Sequence, residues 1–498
     1  MPGRTEEQYR ETIRGALGYT MPQCILPELG AAKKGKVREI YFVQDKVLML
    51  TNDRVSAFDF VLDNSIPFKG MVLNQISEWA MQQTADICPN ALVASPDPNV
   101  VVQKKMKNTM VECIVRGYLW GSMAAAYEKN ERSFCGLKIK DGLMRFQKLD
   151  EPLFTPTTKA EVGHDENMTL AEVEAKLPGM SQKLKDLSLK LFARGVERMR
   201  QRGLILLDTK YEFGTDENGV LHVIDEVNTP DSSRLCDIKE YEEKYPKIEA
   251  EMKTGAYKSV GDLLKAKPEL KIKEYSKQYV RDVLLEKGFK PESATEAPKL
   301  TDDVVVECAY RYVKVCERIT GQDFVFPEPK VSPQERVVEN LTAAGMLQGC
   351  CALIFAGSDS DAPHIEKLKG ELKKYGIPSK ARICSAHKQP STLEKVLAMY
   401  NQSAEPCLIV ACAGGTDALS GTASFHSVWP VVSCPPDGWN ETCLKNPPLS
   451  SNAYILKPSN LARFVAQHFT CVVPSIKSRL AEEVAAKVRK LEKADAEM

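Results

Sequence analysis

A predicted β-hairpin carries side chains that could bind a divalent cation and a phosphate. Along its first strand polar and apolar residues alternate, which places Asp208, Lys210 and Glu212 on one face. The dipeptide Asn218-Gly219 is a strong signal for a two-residue turn that closes the hairpin. The spacing therefore predicts three charged groups on one face of a hairpin.

The predicted turn determines which acidic residues meet across the hairpin. A two-residue turn predicts that Glu212 lies directly opposite Asp225. Two carboxylates ~5 Å apart repel by roughly 3 kcal/mol at an effective dielectric constant of ~20. A divalent cation between them would convert this repulsion into coordination. Oxygen ligands favour Mg²⁺, which completes its shell with water and substrate phosphate, and Lys210 would contact those phosphates.

The alternative interpretation is a solvated hairpin whose charged residues face water. Two features of the sequence oppose it. Residues 229–234 (TPDSSR), which follow the hairpin, combine small hydrogen-bond donors with a guanidinium and suit an anionic ligand. Apolar residues also flank both charged stretches, so we do not expect the carboxylates at a loose surface end.

A basic turn near the amino terminus is a second candidate phosphate-binding segment. Gly35 lies among Lys33, Lys34, Lys36 and Arg38, just before an apolar, strand-like run. Glycine allows backbone N–H groups to approach a phosphate, and the cations neutralise its charge. A solvated basic turn has the same composition, so this segment alone does not distinguish the two interpretations.

Composition excludes several classes of protein. The chain has 498 residues, 43% hydrophobic and 27% charged, with a net charge of zero, and it has no apolar signal core or membrane-spanning run. These values are typical of a soluble cytoplasmic protein of about two to four domains, with no general attraction to nucleic acid or membrane. The 15 cysteines include no CxxC pair, so we expect reduced, mostly buried thiols.

Prolines around residue 330 mark a change of pattern and a predicted domain boundary. We expect a first domain at 1–330, a linker at 331–348, a second domain at 349–472 and a carboxy-terminal amphipathic helix at 473–498. In the second domain short apolar runs alternate with helical patterns. This alternation is typical of a parallel sheet wrapped by helices.

Three strand-end turns of the second domain are candidate ligand contacts. They are GSDSD (357–361), SAHK (385–388) and AGG (413–415), and ligands bind at the carboxyl ends of strands in such sheets. Asp361 is expected to cap the following helix. His387 is the only histidine on one of these turns, so we assign it acid–base chemistry over a structural role.

Eight motifs, in one order, resemble the phosphoribosylaminoimidazole-succinocarboxamide (SAICAR) synthetase family. The resemblance covers about residues 12–325. The motifs are GKVREIY (35–41), DRVSAFD (53–59), IPFKG (66–70), VECIVRGYLWGS (111–122), FTPTTKAE (154–161), DTKYEFG (208–214), IDEVNTPDSSR (224–234) and KQYVRD (277–282).

This resemblance implies an ATP-dependent ligation. ATP phosphorylates the carboxylate of carboxyaminoimidazole ribonucleotide (CAIR), and the amine of L-aspartate then attacks the acyl phosphate to give SAICAR. By resemblance, Glu212 and Asp225 hold Mg²⁺ and Lys210 is catalytic. The implied ATP contacts are Gly35, Lys36 and Arg38, and the implied substrate contacts are Arg116, Ser122, Asp208, Ser232, Ser233 and Arg234.

The second domain resembles the aminoimidazole ribonucleotide (AIR) carboxylase family through GSDSD, SAHK and SCPP (433–436). The resemblance implies that His387 moves the proton at the ring carbon that gains CO₂, with no organic cofactor. The implied substrate contacts are Ser358, Asp361, Ser385, Lys388, Gly414 and Gly415.

The AIR carboxylase family has two branches, and the motifs favour one of them. Direct carboxylases use CO₂, whereas mutases move a carboxyl group from nitrogen to carbon. Lys388 and Ala418 stand where mutases have arginine and a second histidine, and SCPP resembles the direct enzymes, although AGG resembles the mutases. We expect a direct carboxylase. The alternatives for this domain are a mutase and a catalytically silent assembly module. The alternative for the first domain is a different ATP-dependent ligase or kinase.

Together the resemblances predict an α/β and α+β protein. Its parts are an amino-terminal SAICAR synthetase-like, ATP-grasp-related domain and a carboxy-terminal three-layer α/β carboxylase domain with a parallel sheet. The implied ligands are AIR, CO₂, CAIR, L-aspartate, ATP and Mg²⁺. A homo-octamer built around the carboxylase domains is also implied.

The carboxy-terminal helix carries one apolar face. Ile476, Leu480, Val484, Val488 and Leu491 share that face, and a lone apolar stripe must be buried against something. Packing on its own domain and packing on a neighbouring subunit are the two alternatives.

Overall fold

The computed structural model describes residues 4–58, 60–160, 165–275, 278–290, 294, 296 and 298–498. Residues 59, 161 and 277, each part of a predicted motif, lie outside this range. Among the described residues no helix combines the length and the apolar composition that a bilayer span requires. The cysteines are free thiols, and all but Cys135 and Cys471 are buried, as predicted.

The chain forms two compact units, and the first contains residues 4–22 and 34–331. Its helices are α1 (Glu6–Gly15), α2 (Lys69–Gln83), α3 (Gly121–Glu128), α4 (Leu170–Lys176), α5 (Ser181–Gln201), α6 (Ile238–Lys253), α7 (Val260–Ala266), α8 (Gln278–Glu286) and α9 (Asp302–Thr320). Its strands are β1 (Lys33–Lys34), β2 (Arg38–Val43), β3 (Lys46–Thr51), β4 (Arg54–Ala57), β5 (Phe60–Ser65), β6 (Leu92–Asp97), β7 (Val100–Lys104), β8 (Lys107–Tyr118), β9 (Ser133–Phe134), β10 (Leu137–Lys138), β11 (Lys148–Phe154), β12 (Thr157–Thr158), β13 (Leu204–Thr215), β14 (Leu221–Ile224) and β15 (Ser233–Asp237).

Two larger sheets organise the first unit. One has the strand order β1-β2-β3-β7-β6, and the other has the order β11-β8-β13-β14, with β12 paired to β8 and β15 paired to β13. In the second sheet every strand is antiparallel to its neighbours. Strand β13 buries Tyr211 and Phe213 in the same apolar core as Leu191 and Phe192 of α5. The alternate residues of β13 therefore lie on the other face of the sheet, as the sequence predicted.

The second unit contains Gln23–Lys33 and Ser332–Met498. Its helices are α10 (Pro333–Ala343), α11 (Ala362–Lys374), α12 (Pro390–Tyr400), α13 (Leu419–His426), α14 (Pro458–Phe469) and α15 (Pro474–Ala496). Its strands are β16 (Cys351–Ala356), β17 (Ser379–Ile383), β18 (Cys407–Cys412), β19 (Val431–Ser433) and β20 (Ala453–Tyr454). The segment predicted as a linker thus contains α10, whose Val337 and Leu341 are buried.

The sheet of the second unit is parallel and has the order β17-β16-β18-β19-β20. Strands β16 and β18 are completely buried. Helices α11 and α14, with the start of α15, pack in the apolar core on one face, and α12 and α13 pack in the core on the other. The predicted three-layer α/β fold is confirmed.

A segment from the amino-terminal part of the chain completes the second unit. The N–H of Ala404 donates to the carbonyl of Ile25 at 2.9 Å, and the N–H of Glu28 donates to Oε2 of Glu405 at 3.0 Å. The Glu28 carboxylate in turn accepts the N–H of Gln348 at 2.8 Å. No pattern in the sequence indicates that residues 23–33 belong to this unit.

The carboxy-terminal helix α15 divides into a buried and an exposed half. Ile476 and Leu480 pack in the core of the second unit. Val484, Val488 and Leu491 are exposed, by 48%, 46% and 57%. The start of the apolar face is therefore buried on its own unit, and packing of the remainder on another subunit stays a prediction.

Candidate active sites

Strand β13 brings three of the predicted substrate contacts together. Asp208 is in register with Arg116 of β8 on one side and Arg234 of β15 on the other. Its Oδ2 accepts hydrogen bonds from Nη1 of Arg234 at 2.7 Å and from Nη1 of Arg116 at 3.4 Å. One buried carboxylate thus holds two guanidinium groups side by side, an arrangement suited to a ligand with more than one negative charge.

The two arginines are also held by residues outside β13. Arg116 donates to the hydroxyl of Ser122 at 3.2 Å and to that of Thr155 at 3.0 Å. Gly121 has a φ of +58°, and a Cβ there would lie 2.8 Å from Nη1 of Arg234. Glycine suits this position because other residues rarely adopt its backbone conformation, and a side chain would also require the guanidinium of Arg234 to move.

We expect Asp208→Asn to destabilise the first unit by about 3 kcal/mol, because the buried Arg116 would keep its charge and lose its only carboxylate partner among the described residues. The urea midpoint, followed by circular dichroism, measures the change. Asp150→Asn, which removes an exposed ion pair with Lys140, should leave the midpoint unchanged. Equal midpoints for both variants would contradict this role of Asp208.

The register of the hairpin formed by β13 and β14 differs by one residue from the predicted register. Strand β13 ends at Thr215 and β14 begins at Leu221, so residues 216–220 form the loop instead of a two-residue turn. Oδ1 of Asp216 accepts the N–H groups of Asn218 at 2.9 Å and Val220 at 2.8 Å. This side chain closes a longer loop, and Glu212 consequently pairs with Ile224, not with Asp225.

Glu212 and Asp225 nevertheless meet. A slip of one residue would put Asp225 on the opposite face of the sheet if the strand continued. The strand ends at Ile224, however, and Asp225 has a φ of +64°, which turns its side chain back toward Glu212. The two carboxyl groups are close enough for the negative charge of Asp225 to raise the pKa of Glu212. Their proximity, predicted from a two-residue turn, arises instead from a left-handed residue.

Positive side chains surround this carboxylate pair. Lys159 forms an ion pair with Oε2 of Glu212, and Arg38 forms one with Asp225. Lys210 forms an ion pair with Glu112, which is directly opposite Glu212 on β8, and its Nζ lies 3.6 Å from Oε1 of Glu212. We refer to Glu112, Glu212 and Asp225 as the carboxylate cluster.

Burial and neighbouring charges shift the pKa values of Glu212 and Asp225 in opposite directions. Burial, followed by the negative charge of Asp225, raises the pKa of Glu212. Burial alone would also raise the pKa of Asp225, but the positive charges of Arg38, Lys159 and Lys210 outweigh it and lower that pKa. Burial acts to lower the pKa of Lys210, yet the neighbouring carboxylates raise it overall. These directions keep Asp225 ionised and Lys210 positively charged at neutral pH.

The cluster fits Mg²⁺ by the chemistry of its donors. Oε1 of Glu212 is buried and has no hydrogen-bond donor within the described part of the chain. Across the residues described, no group of three or more His, Cys, Asp and Glu side chains is arranged as a complete metal site. Mg²⁺ usually takes one or two carboxylates together with water and phosphate. Glu212 and Asp225 therefore fit a metal that arrives with a phosphate ligand.

The structure of the basic turn around Gly35 differs from the predicted phosphate-binding segment. Gly35 and Lys36 are exposed, but the N–H of Gly35 donates to the carbonyl of Arg38 at 2.8 Å. A Cβ on Gly35 would make only ordinary contacts, the nearest at 3.5 Å, so the structure does not require glycine there. Arg38 instead extends to Asp225 and to Glu226, which it meets at 3.1 Å. The structure brings Arg38, but not the N–H of Gly35, to the carboxylate cluster.

The two predicted serine contacts have partners within the chain. The hydroxyl of Ser233 is buried and lies 2.7 Å from that of Thr209, on the face of the sheet opposite Asp208. The hydroxyl of Ser232 accepts the N–H of Thr229 at 3.2 Å. Ser233 therefore packs between strands, away from the face that carries Asp208.

Glu112 and Lys159 were not among the site residues predicted from the sequence. Alternation along β8 places Glu112 on the same face as Arg116, so the two-residue period could have identified it. Lys159 follows the short strand β12, where no periodic pattern applies. Only the tertiary structure reveals its contact with Glu212.

In the second unit the predicted turns begin at one edge of the parallel sheet. Ala356, the last residue of β16, is in register with Ile383 of β17 and Cys412 of β18. The strand order reverses beside β16, and ligands bind at the carboxyl edge near such a reversal. GSDSD, SAHK and AGG therefore start side by side, as predicted.

The GSDSD turn is shaped by its own side chains. The hydroxyl of Ser358 accepts the N–H of Ser360 at 3.3 Å, and Oδ2 of Asp361 accepts the N–H of Ser358 at 3.1 Å. Asp361 occupies the N-cap position of α11, as predicted, but its carboxylate closes the preceding 3₁₀ turn and makes no capping bond to that helix.

The AGG turn depends on an acidic residue that the sequence did not indicate. The N–H of Gly415 donates to Oδ2 of Asp437 at 2.9 Å, and Gly415 has a φ of +61°. A Cβ on Gly414 would lie 2.8 Å from the same oxygen. Gly415 is favoured by its backbone conformation, and at Gly414 a side chain would require the carboxylate of Asp437 to move.

The SAHK turn presents its histidine to solvent. His387 and Lys388 are exposed, whereas Ser385 is buried and accepts the N–H of Lys388 at 3.3 Å. Throughout the described residues nothing hydrogen bonds to the imidazole of His387. His364 differs, because its Nε2 lies 3.0 Å from the carbonyl of Cys434 and burial lowers its pKa. His387 is thus the histidine available to a ligand at this edge.

Comparison with known proteins identifies relatives of each unit. The family model described as SAICAR synthetase matches residues 31–252, and that described as AIR carboxylase matches residues 352–484. Phosphoribosylaminoimidazole-succinocarboxamide synthase of Cytophaga hutchinsonii is 39% identical over 324 residues, covering 64% of this chain and 96% of the relative. The Bacteroides fragilis (strain YCH46) protein of that name is 41% identical over 314 residues, covering 62% and 93%.

A solved structure supports the same similarity. The SAICAR synthase of Saccharomyces cerevisiae, complexed with SAICAR, superposes with a TM-score of 0.51 at 27% identity. The match covers 62% of this chain and 100% of that structure. The region in common therefore includes the whole of the yeast structure.

Proposed function

Because the chain belongs to the SAICAR synthetase family and also carries an AIR carboxylase-family domain, we propose that it catalyses two consecutive steps of purine synthesis. The second unit adds CO₂ to AIR and forms CAIR. The first unit then joins L-aspartate to CAIR at the expense of ATP, releasing SAICAR, ADP and phosphate. CAIR, the product of the second unit, is a substrate of the first.

The arrangement on β13 is the observation that carries the synthetase proposal. On one face this strand holds two guanidinium groups through Asp208, then Lys210, then Glu212. Phosphoryl transfer from ATP to a carboxylate needs its reactants aligned and their negative charge neutralised. A row of cations beside a carboxylate pair supplies both requirements.

The residues on this face of the sheet are proposed to have different roles in the reaction. Arg116 and Arg234 bind and orient the anionic groups of CAIR and aspartate, and Asp208 fixes the position of both arginines. Glu212 and Asp225 would hold Mg²⁺, whose charge offsets that of the phosphates. Lys210 neutralises the acyl phosphate oxygens while the aspartate amine attacks the acyl carbon and phosphate leaves. Lys36 and Arg38 are proposed to contact ATP.

For the second unit, we assign proton transfer to His387. The ring carbon of AIR attacks CO₂, and that carbon must lose its proton to restore the aromatic ring. His387 is exposed at the carboxyl edge of the sheet and would take this proton. Helix α11 begins directly after the GSDSD turn, and its N–H groups suit the ribose phosphate.

One experiment tests the direct carboxylase. Purified chain is incubated with AIR, bicarbonate-equilibrated CO₂ and aspartate, without MgATP, and the product is identified by mass. We expect CAIR, and addition of MgATP should convert it to SAICAR. A mutase is the second candidate, favoured by the AGG turn, and it would form CAIR only after the N-carboxylated isomer is supplied. ATP turnover with a nucleophile other than aspartate would contradict the synthetase proposal.

We also propose a cytoplasmic homo-octamer assembled through the carboxylase domain. Phe425 and Val428 of the second unit are 57% and 70% exposed, and α15 exposes half of its apolar face. Such exposed apolar groups favour contact with other copies of the chain. Native mass spectrometry measures the number of subunits, and a monomer would contradict assembly.

A further inference from the structure

Lys159 is bound to the carboxylate that the proposed metal requires. Its ammonium forms an ion pair with Oε2 of Glu212, whose side chain is only 4% exposed. The other oxygen, Oε1, has no hydrogen-bond donor in the described residues. A divalent cation that used both oxygens of Glu212 would therefore have to remove Lys159.

The other two cations at the cluster are held more firmly. Arg38 contacts Asp225, Glu226 and the hydroxyl of Thr51, and its side chain is 11% exposed. Lys210 lies between Glu112 and Glu212 and projects from the central strand β13.

Lys159 has fewer constraints than either of them. Its side chain is 34% exposed, against 11% for Arg38 and 30% for Lys210, and unlike both of them it follows a strand instead of lying within one. Among residues that the structure describes, Glu212 is the one partner to which its ammonium hydrogen bonds. Lys159 can consequently leave the cluster with the smallest loss of contacts.

We propose that Lys159 is an exchangeable counter-ion, which neutralises Glu212 before metal binds and is displaced when a divalent cation takes the same carboxylate. Lys159 and the metal thus compete for Glu212. This inference rests on the metal site of the proposed function and adds a positioning role for a lysine outside that assignment.

The competition has a consequence for the order of binding. A divalent cation alone must displace an ammonium whose one ion-pair partner among the described residues is Glu212. A cation that arrives with a nucleotide brings phosphate oxygens, which can accept the displaced ammonium. Metal should therefore bind weakly alone and more tightly together with nucleotide, which is a positive coupling between the two ligands.

Titration with Mn²⁺ in the absence of nucleotide tests the proposal. Binding to the full chain is followed by electron paramagnetic resonance, which reports free Mn²⁺ and does not depend on activity. We expect Lys159→Met to bind Mn²⁺ about tenfold more tightly than the unchanged chain, because the competing charged hydrogen bond is gone. Lys140→Met, which removes a lysine of an exposed ion pair, should not change the affinity.

Further variants keep the outcomes distinct. Lys159→Arg keeps the competing charge and should show no gain, and Lys159→Gln replaces Lys159→Met if the latter does not fold. Equal or weaker Mn²⁺ binding by the neutral variant would overturn the counter-ion role. Glu212→Gln should lose the site. If Glu212→Gln bound Mn²⁺ as tightly as the unchanged chain, the metal assignment of the proposed function would fail instead.

Discussion

Replacing Glu212 with glutamine should reduce ATP-dependent SAICAR formation by about 10³-fold or more. The amide keeps the shape of the side chain but removes the negative charge that a divalent cation needs. The variant should remain folded, because Lys159, the ion-pair partner that the substitution leaves behind, is 34% exposed and can turn into solvent. The loss should therefore appear in catalysis and not in stability.

The measurement compares SAICAR formation with carboxylation in the same preparation. Carboxylation of AIR should proceed at the unchanged rate in Glu212→Gln, and the thermal unfolding temperature should not fall. Glu128→Gln is the matched control, since Glu128 pairs with Arg145 away from the carboxylate cluster. Undiminished SAICAR formation by Glu212→Gln would exclude Glu212 as a metal ligand.

His387→Asn should reduce carboxylation of AIR by roughly 10²–10⁴-fold, the usual contribution of a positioned acid or base. Asparagine can hydrogen bond but cannot take up a proton near neutral pH. His387 is exposed and has no partner among the described residues, so the substitution removes no contact that supports the fold. SAICAR formation from added CAIR should be unchanged.

The control for this variant is another exposed histidine of the same unit. His426 lies at the end of α13, and His426→Asn should leave both reactions intact. Product masses from AIR with CO₂, and separately from CAIR with aspartate and MgATP, give both rates. If His387→Asn lost both activities, the histidine would support the structure and not the chemistry.

Alternation along β13 could be predicted from the sequence because it depends only on local backbone geometry. A strand puts every second side chain on one face, so Asp208, Lys210 and Glu212 had to lie together. The hairpin register depends on loop closure, and there the side chain of Asp216 replaced the expected turn. The position of Asp225 depends on a single backbone angle, which no residue pattern encodes.

Contacts between distant segments could not be predicted in this way. Lys159 and Glu212 are brought together only by the tertiary fold, as are Gly415 and Asp437. The candidate ligand edge of the second unit could be predicted, because parallel strands end at a common edge whatever their neighbours are. The turn that contains Asp361 was predicted, but its capping bond to α11 was not observed. The carboxylate accepts the N–H of Ser358 instead, because capping depends on which N–H lies within reach.

The segment Gln23–Lys33 has a consequence for how this protein can be divided. A break between Val331 and Ser332 does not release two complete proteins, because the carboxy-terminal product would lack the stretch that accepts Ala404 and meets Glu405. Separate genes for the two halves would have to duplicate or replace that stretch. The two halves are thus interleaved along the chain, so a single cut cannot recover two complete units.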